Sequence, residues 1–155
     1  ASLLTILPFF VIFVYFKYFS NIIFIHAVFL FLIIMIRELI KDLENLKGAV
    51  ASNYKTFPVA YGERNTKLFS IVLMFFALLT ILILLKHPAI SYMKYYFYLM
   101  VVSLIIIGAV LIKSSKKKEY TIIHTTLKIL LLIGVFSLVF IDTSLIIDQV
   151  INTLK

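Results

Sequence analysis

The chain of 155 residues contains no cysteine, which excludes disulfide frameworks, thiolate nucleophiles and cysteine-based zinc sites. Charge is scarce. Only 14% of residues are charged and 63% are hydrophobic, whereas a soluble domain runs at about 25% charged and roughly 45–50% apolar. A water-soluble body of this size exposes too large a shell to hide so much apolar side chain, and the mean hydropathy of +1.13 agrees. A soluble enzyme, a disordered tail and a nucleic-acid-binding domain are excluded on that ground. Acids are scarcer still, with 7 Asp and Glu against 15 Lys and Arg and a net charge of +8. In a membrane chain such an excess reflects retention of basic loops on the cytoplasmic side. No basic segment precedes the first apolar run, so a signal peptide is not indicated. The chain opens at Ala1 inside an apolar stretch and reads as the C-terminal part of a longer protein. Internal repeats and low-complexity linkers are absent, and 1–155 reads as one membrane domain.

What is present is a series of apolar runs near the length of about 20 residues that spans a hydrocarbon core. They fall at 3–16, 22–36, 68–85, 95–112 and 121–141, the second continuing as a polar helix to about Leu46. The runs lack the alternation of barrel strands, and only helices or closed barrels satisfy every backbone group in lipid. The expected fold is therefore all-α, a polytopic transmembrane helical bundle with five spans. Ten basic residues fall on one side (Arg37, Lys41, Lys47, Lys55, Arg64, Lys67, Lys113, Lys116, Lys117 and Lys118) and four on the other (Lys17, Lys86, Lys94 and Lys155). The positive-inside rule then places the loops 47–66 and 113–120 in the cytoplasm and the chain in the cell (inner) membrane.

The segment that carries chemistry is 37–62, RELIKDLENLKGAVASNYKTFPVAYG; with the loop that follows, to Lys67, it forms the helix end and cytoplasmic loop that stand out from the membrane domain. Arg37, Glu38, Lys41, Asp42, Glu44 and Lys47 are all charged within eleven positions, and such residues at the end of a membrane helix default to a functional hypothesis. At about 100° per residue they sort into stripes. Glu38, Asp42, Asn45 and Ala49 share one; Arg37, Lys41, Glu44 and Gly48 form an adjacent, mainly basic one; Leu39, Leu43 and Leu46 form an apolar one. A carboxylate row can hold Mg2+, which takes one or two carboxylates plus substrate phosphates. A cationic row meets the same phosphates directly. The bland reading is a solvated helix end with i,i+3 ion pairs worth a few tenths of a kcal/mol each. Glu63 lies outside the acidic stripe, and its substitution by Gln is expected to change activity little.

RELIKDLENLKG followed by NYKTFPVAYGE resembles the second aspartate-rich motif of the UbiA-type intramembrane prenyltransferases, within them the branch that transfers geranylgeranyl groups to glycerol-phosphate lipids. The resemblance spans 37–63, and the five helices would be the second part of a nine-helix bundle. It implies Mg2+-dependent transfer of a prenyl group from a polyprenyl diphosphate to a lipid or aromatic acceptor in the membrane. Carried over to this chain, Asp42, Glu44 and Asn45 would hold the metal, Arg37, Lys41 and Lys55 would face the diphosphate, and Tyr54 would line the carbocation pocket through its ring. Asn45 and Ala49 stand where the family usually has carboxylates, and the family's first aspartate-rich motif belongs to an N-terminal half not found in this chain. The segment alone is therefore expected to be inactive, its partner being that missing half or another chain. The alternative is a non-catalytic relative that serves as a membrane subunit or scaffold. An ion-coupled transporter is disfavoured because the charges gather at a helix end and not at the midplane.

The remaining polar residues carry less. His26, inside the second span, is expected to pair with a polar neighbour or pack as an aromatic. His87 and His124 sit at helix ends. Asp142 and Asp148 read as interfacial. Tyr92, Tyr95, Tyr96 and Tyr98 read as an aromatic belt, and the lysines of 113–118 as a topology signal that meets anionic lipid.

Overall fold

The computed structural model describes residues 21–86 and 93–137. The expected span at 3–16, His87, Tyr92, Asp142, Asp148 and the end of the fifth span lie outside them. Among the described residues the chain is helical throughout and contains no strand. The elements are α1 (Asn21–Glu44), α2 (Leu46–Ala51), α3 (Phe57–Tyr61), α4 (Glu63–Leu85), α5 (Lys94–Lys113) and α6 (Lys117–Ser137).

The long helices α1, α4, α5 and α6 form an antiparallel four-helix bundle in which each packs on its chain neighbour and α6 returns to α1. The end of α1 meets the start of α6, and the start of α4 meets the end of α5. Phe29, Ile33, Ile36, Ile40 and Leu43 make the buried stripe of α1 at helical spacing. They meet Ala77, Ile81 and Leu84 of α4, Phe97, Met100 and Leu104 of α5, and Ile123 and Leu127 of α6 in one core. The opposite faces of α4 and α5 are just as apolar, with Phe75, Phe76, Leu82, Ile83, Ile105 and Ile106 exposed. A helix apolar all round belongs in a membrane or a large core, and α4 and α5 are long and apolar enough to cross a bilayer. The described parts of α1 and α6, with their charged ends, do not meet that measure.

Hydroxyl groups in these helices bond backward into the helix itself. Thr66 Oγ1 donates to the Gly62 carbonyl (2.8 Å), Ser70 Oγ to Thr66 (2.9 Å) and Thr80 Oγ1 to Ala77 (2.8 Å). This satisfies them where water is absent. His26 packs as an aromatic, its ring centroid 6.0 Å from those of Phe29 and Phe97. The tyrosine belt holds for Tyr95 and Tyr98, which are exposed, but Tyr96 turns inward and its hydroxyl donates to the Leu130 carbonyl at 3.3 Å. Gly134 makes that possible, because a Cβ there would overlap the Tyr96 ring and hydroxyl.

The connection between α1 and α4 is built from backbone chemistry. Asn45 (φ −98°, ψ 10°) interrupts the helix, yet hydrogen bonds from Asn45 N–H to Lys41 and from Ala49 N–H to Asn45 run through it. At the end of α2 the chain turns through Asn53, which has φ +52°. Tyr54 N–H bonds the Ala49 carbonyl (2.8 Å) and Asn53 N–H the Val50 carbonyl (3.2 Å), which is the Schellman pattern. Thr56 is extended before Phe57, and Pro58 occupies the first turn of α3, where its missing N–H is not needed. Gly62 then ends α3 and begins α4 at φ +86°, ψ 159°, a region essentially confined to glycine.

A second polar cluster closes the same end of the bundle. Lys67 Nζ, on α4, lies 2.8 Å from Glu63 Oε1 and donates to the Ser114 carbonyl at the end of α5. The Tyr120 hydroxyl, on α6, sits 2.7 Å from Glu63 Oε1 and 3.0 Å from the Ser114 carbonyl. Burial first of all, together with the adjacent Glu63 carboxylate, pushes the Tyr120 hydroxyl up to about 12, so it stays a donor. Glu63 links α4 to α6 through Tyr120, and the cluster reaches the end of α5 through the Ser114 carbonyl, which the place of Glu63 outside the acidic stripe could not reveal. Glu119 caps α6 by accepting from the Ser115 and Lys116 N–H groups (2.8 and 3.0 Å), as a carboxylate at the third helical position does.

Gly62→Ala should lower stability by about 1–3 kcal/mol, although no atom lies within 4 Å of a Cβ placed there. Gly48→Ala, in an equally open helical position, should leave stability unchanged or raise it by up to about 1 kcal/mol. Thermal unfolding in detergent checks the contrast, and equal effects at the two glycines would contradict it. By the same measurement Tyr120→Phe should lose about 1 kcal/mol and Glu63→Gln at least as much. An unchanged midpoint in both variants would mean that the cluster holds nothing.

Candidate functional site

The charged motif forms the last two turns of α1 and continues across α2 into the 52–56 loop. The apolar stripe behaves as expected, with Leu39 and Leu43 buried against the bundle. Arg37 reaches sideways to Glu38, Nη1 to Oε1 at 2.9 Å, and Lys41 Nζ lies 3.7 Å from Glu38 Oε2. Glu38 is thus held by two cations and keeps a side chain 25% exposed.

Asp42 sits one turn further on the same stripe and is half-buried. Its carboxyl is held above the usual carboxylate range, first by burial and then by the negative charge of Glu38, with Lys41 pulling the other way. Two carboxylates close enough to repel, one of them incompletely compensated, make a donor set that fits a divalent cation bound by one or two carboxylates plus substrate oxygens. Groups of three or more ligating side chains are absent among the described residues.

Glu44 goes elsewhere. It lies on the stripe of Arg37 and Lys41, and its Oε1 accepts from Thr121 Oγ1 at 3.0 Å while Oε2 lies 3.4 Å from His124 Nδ1, both on α6. Asn45 is exposed at the helix interruption, and Ala49 is buried. Tyr54 and Lys55 are exposed in the loop after α2. The structure therefore brings Arg37, Glu38, Lys41 and Asp42 together, directs Glu44 to α6, and leaves Asn45, Tyr54 and Lys55 on the outer side. Three buried polar atoms at this end have no partner among the described residues: Arg37 Nε, Thr56 Oγ1 and His124 Nε2.

Thr121 and His124 were not singled out from the sequence as site residues. Their i,i+3 spacing puts them on one face of α6, but nothing local points across 77 positions to Glu44.

An all-α bundle whose outer faces are apolar, with a charged motif at one end, defines an integral membrane protein. The UbiA prenyltransferase family model matches residues 1–132, and the chain belongs to that family. A search of curated proteins and one of solved structures return no match.

The raised carboxyl of Asp42 carries a stability consequence. A carboxyl whose folded-state value exceeds its unfolded one favours folding while protonated, and that contribution fades as pH rises through the folded value. Asp42→Asn should therefore match or exceed the wild-type unfolding midpoint at pH 7.5, by less than about 1 kcal/mol given solvent screening, and lose that advantage near pH 4. A lower midpoint for the variant at pH 7.5 would contradict the assigned environment.

Proposed function

We propose that the chain contributes one half of a site for Mg2+-dependent transfer of a prenyl group from a polyprenyl diphosphate to a lipid or aromatic acceptor. The observation that carries this reading is the pairing, at one helix end of a UbiA-family chain, of the Glu38–Asp42 carboxylates with the Arg37–Lys41 cations. Family membership supports the reaction class, and the motif's likeness to the glycerol-phosphate-lipid branch supports a lipid acceptor.

In this reading Asp42, with Glu38 beside it, would hold the metal. Bound Mg2+ supplies Lewis-acid compensation for charge growing on the leaving diphosphate. Arg37 and Lys41 stand on the neighbouring stripe and meet the same oxygens, Arg37 able to do so in bidentate fashion. Lys55 and Tyr54, on the loop just beyond, close over the head group, with the Tyr54 ring offered to the allylic cation. A cytoplasmic placement of the loop, supported by the ten-to-four bias of basic residues, admits the diphosphate from water.

The half-site lacks charge on its other side. Glu44 is engaged by α6, Glu63 by Lys67 and Tyr120, and Glu119 by the start of α6. Among the described residues that leaves Asp42, beside a Glu38 already paired with Arg37 and Lys41. A diphosphate bears up to about three negative charges, and compensation from one helix end is insufficient at low dielectric. A second acidic cluster must come from another part of the polypeptide or another chain. Asn45 and Ala49, in place of carboxylates, favour the second reading, a membrane subunit without catalysis.

In the complete protein, Asp42→Asn should reduce prenyl transfer about 100-fold or more while insertion and folding persist, and purified 1–155 should show no turnover. Radiolabelled prenyl diphosphate with extracted membrane lipids as acceptors provides the assay. Transfer by the variant within about threefold of wild type would remove Asp42 from the site, and turnover by 1–155 alone would remove the need for a second cluster. Failure of the complete protein to transfer any prenyl group would establish the subunit reading.

A further inference from the structure

Lys128 stands well inside α6, about 16 Å of helical rise beyond Lys117 at its start. It is exposed, and among the described residues it has no ion pair or hydrogen bond. A lysine at such depth in a membrane helix is costly and by default faces a polar cavity or a partner.

The packing of α1 and α6 shows where it faces. Ile36, Leu39, Ile40 and Leu43 fix the rotation of α1, and Ile123, Leu127 and Leu130 fix that of α6. Thr121 and Lys128 are seven residues apart and share one stripe of α6 to within about 20°. That stripe borders α1, because the Thr121 hydroxyl donates to Glu44 Oε1 at 3.0 Å. Arg37 and Glu44 are likewise seven residues apart, on α1. The two helices run antiparallel, so about 10.5 Å along each from the Glu44–Thr121 contact come Arg37 on one and Lys128 on the other. A crossing angle of about 20° displaces them by less than about 4 Å over that length. The same register sets His124 level with Lys41, and the charges of Arg37 and Lys41 act on that ring. A helical side chain leans toward its own N-terminus, so Lys128 leans toward the motif end of the bundle and the level of Lys41.

The outer groove between α1 and α6 therefore has Arg37 and Lys41 on one wall. Lys128 is on the other, with the exposed Thr125 one turn nearer the motif end. Negative charge is short there. Glu44 is engaged by Thr121 and His124, and Glu38 by Arg37 and Lys41. Arg37 Nε is buried with no partner among the described residues. Cations from two helices, with a spare N–H donor and a hydroxyl, match the several oxygens of a phosphate. A single acid on a partner helix would answer Lys128 and leave the Arg37 donor bare.

We propose that Lys128, with Thr125, is the α6 wall of a phosphate-binding groove, its ammonium meeting a substrate phosphate that Arg37 and Lys41 meet from α1. The phosphate is that of the prenyl diphosphate or of a glycerol-phosphate acceptor. This rests on the prenyl-transfer reading given above.

Kinetics of the complete protein reconstituted in vesicles test the groove. Lys128→Gln should raise KM for a phosphate-bearing substrate about tenfold, with kcat within about threefold of wild type. A raised KM for prenyl diphosphate assigns the groove to the donor, and a raised KM for a glycerol-phosphate lipid assigns it to the acceptor. Lys128→Arg should return that KM to within about threefold of wild type, and Thr125→Val should raise it about threefold. Lys94→Gln, at the opposite end of the bundle, should leave both constants unchanged. Unchanged KM for both substrates in Lys128→Gln would overturn the proposal and leave the lysine to lipid head groups. Unchanged KM with a lowered unfolding midpoint would overturn it in favour of a partner helix. If the wild type transfers no prenyl group, the functional reading has failed, and the groove is then tested by equilibrium binding of inorganic pyrophosphate. Binding weakened about tenfold by Lys128→Gln and restored by Lys128→Arg upholds the groove. Equally tight binding by Lys128→Gln, or no binding by the wild type, overturns it.

Discussion

Helices in a bilayer gain little from hiding leucine from lipid, so their arrangement depends on close packing and on interhelical polar contacts. In this protein those contacts gather at one end of the bundle. The Ser114 carbonyl, left without a helical partner at the end of α5, receives the Lys67 ammonium and the Tyr120 hydroxyl, and the Glu63 carboxylate joins both donors. A few residues away Glu44 ties α1 to α6. All four long helices are therefore fastened where the charged motif leaves the apolar core.

That constraint explains the uneven treatment of the acids. Glu44, Glu63 and Glu119 each accept defined hydrogen bonds and hold elements together. Glu38 pairs with Arg37 and Lys41 of its own helix, and Asp42 carries the repulsion of its neighbour and the cost of partial burial. Placing an incompletely compensated carboxylate at the edge of a membrane domain opposes folding and suits cation binding. The connection that follows is held by backbone devices, the Asn53 turn and the Gly62 hinge, so its loop can be exposed and still have a defined path.

Much of this was legible in the sequence. Apolar runs announced the long helices, because a membrane leaves no other way to satisfy the backbone. Helical periodicity sorts Glu38 and Asp42 from Arg37 and Lys41 within α1, but it stops at Asn45, beyond which Ala49 is buried while Asn45 is exposed. The family resemblance grouped Glu44 with Asp42 at the metal, whereas its carboxylate meets Thr121 and His124 of α6. Tyr96 was misread as part of a surface belt because its burial depends on Gly134 of another helix. The bond from Tyr120 to Glu63 was not legible because the two lie 57 positions apart.

The sequence by itself determined the class of fold, the family motif and the two charged rows, all of which are local consequences of composition and of about 100° per residue. Tertiary structure alone decided which acids bond across helices. Glu44 meets Thr121 and His124, and Glu63 meets Tyr120, residues distant in the chain that come within reach only once the bundle has closed.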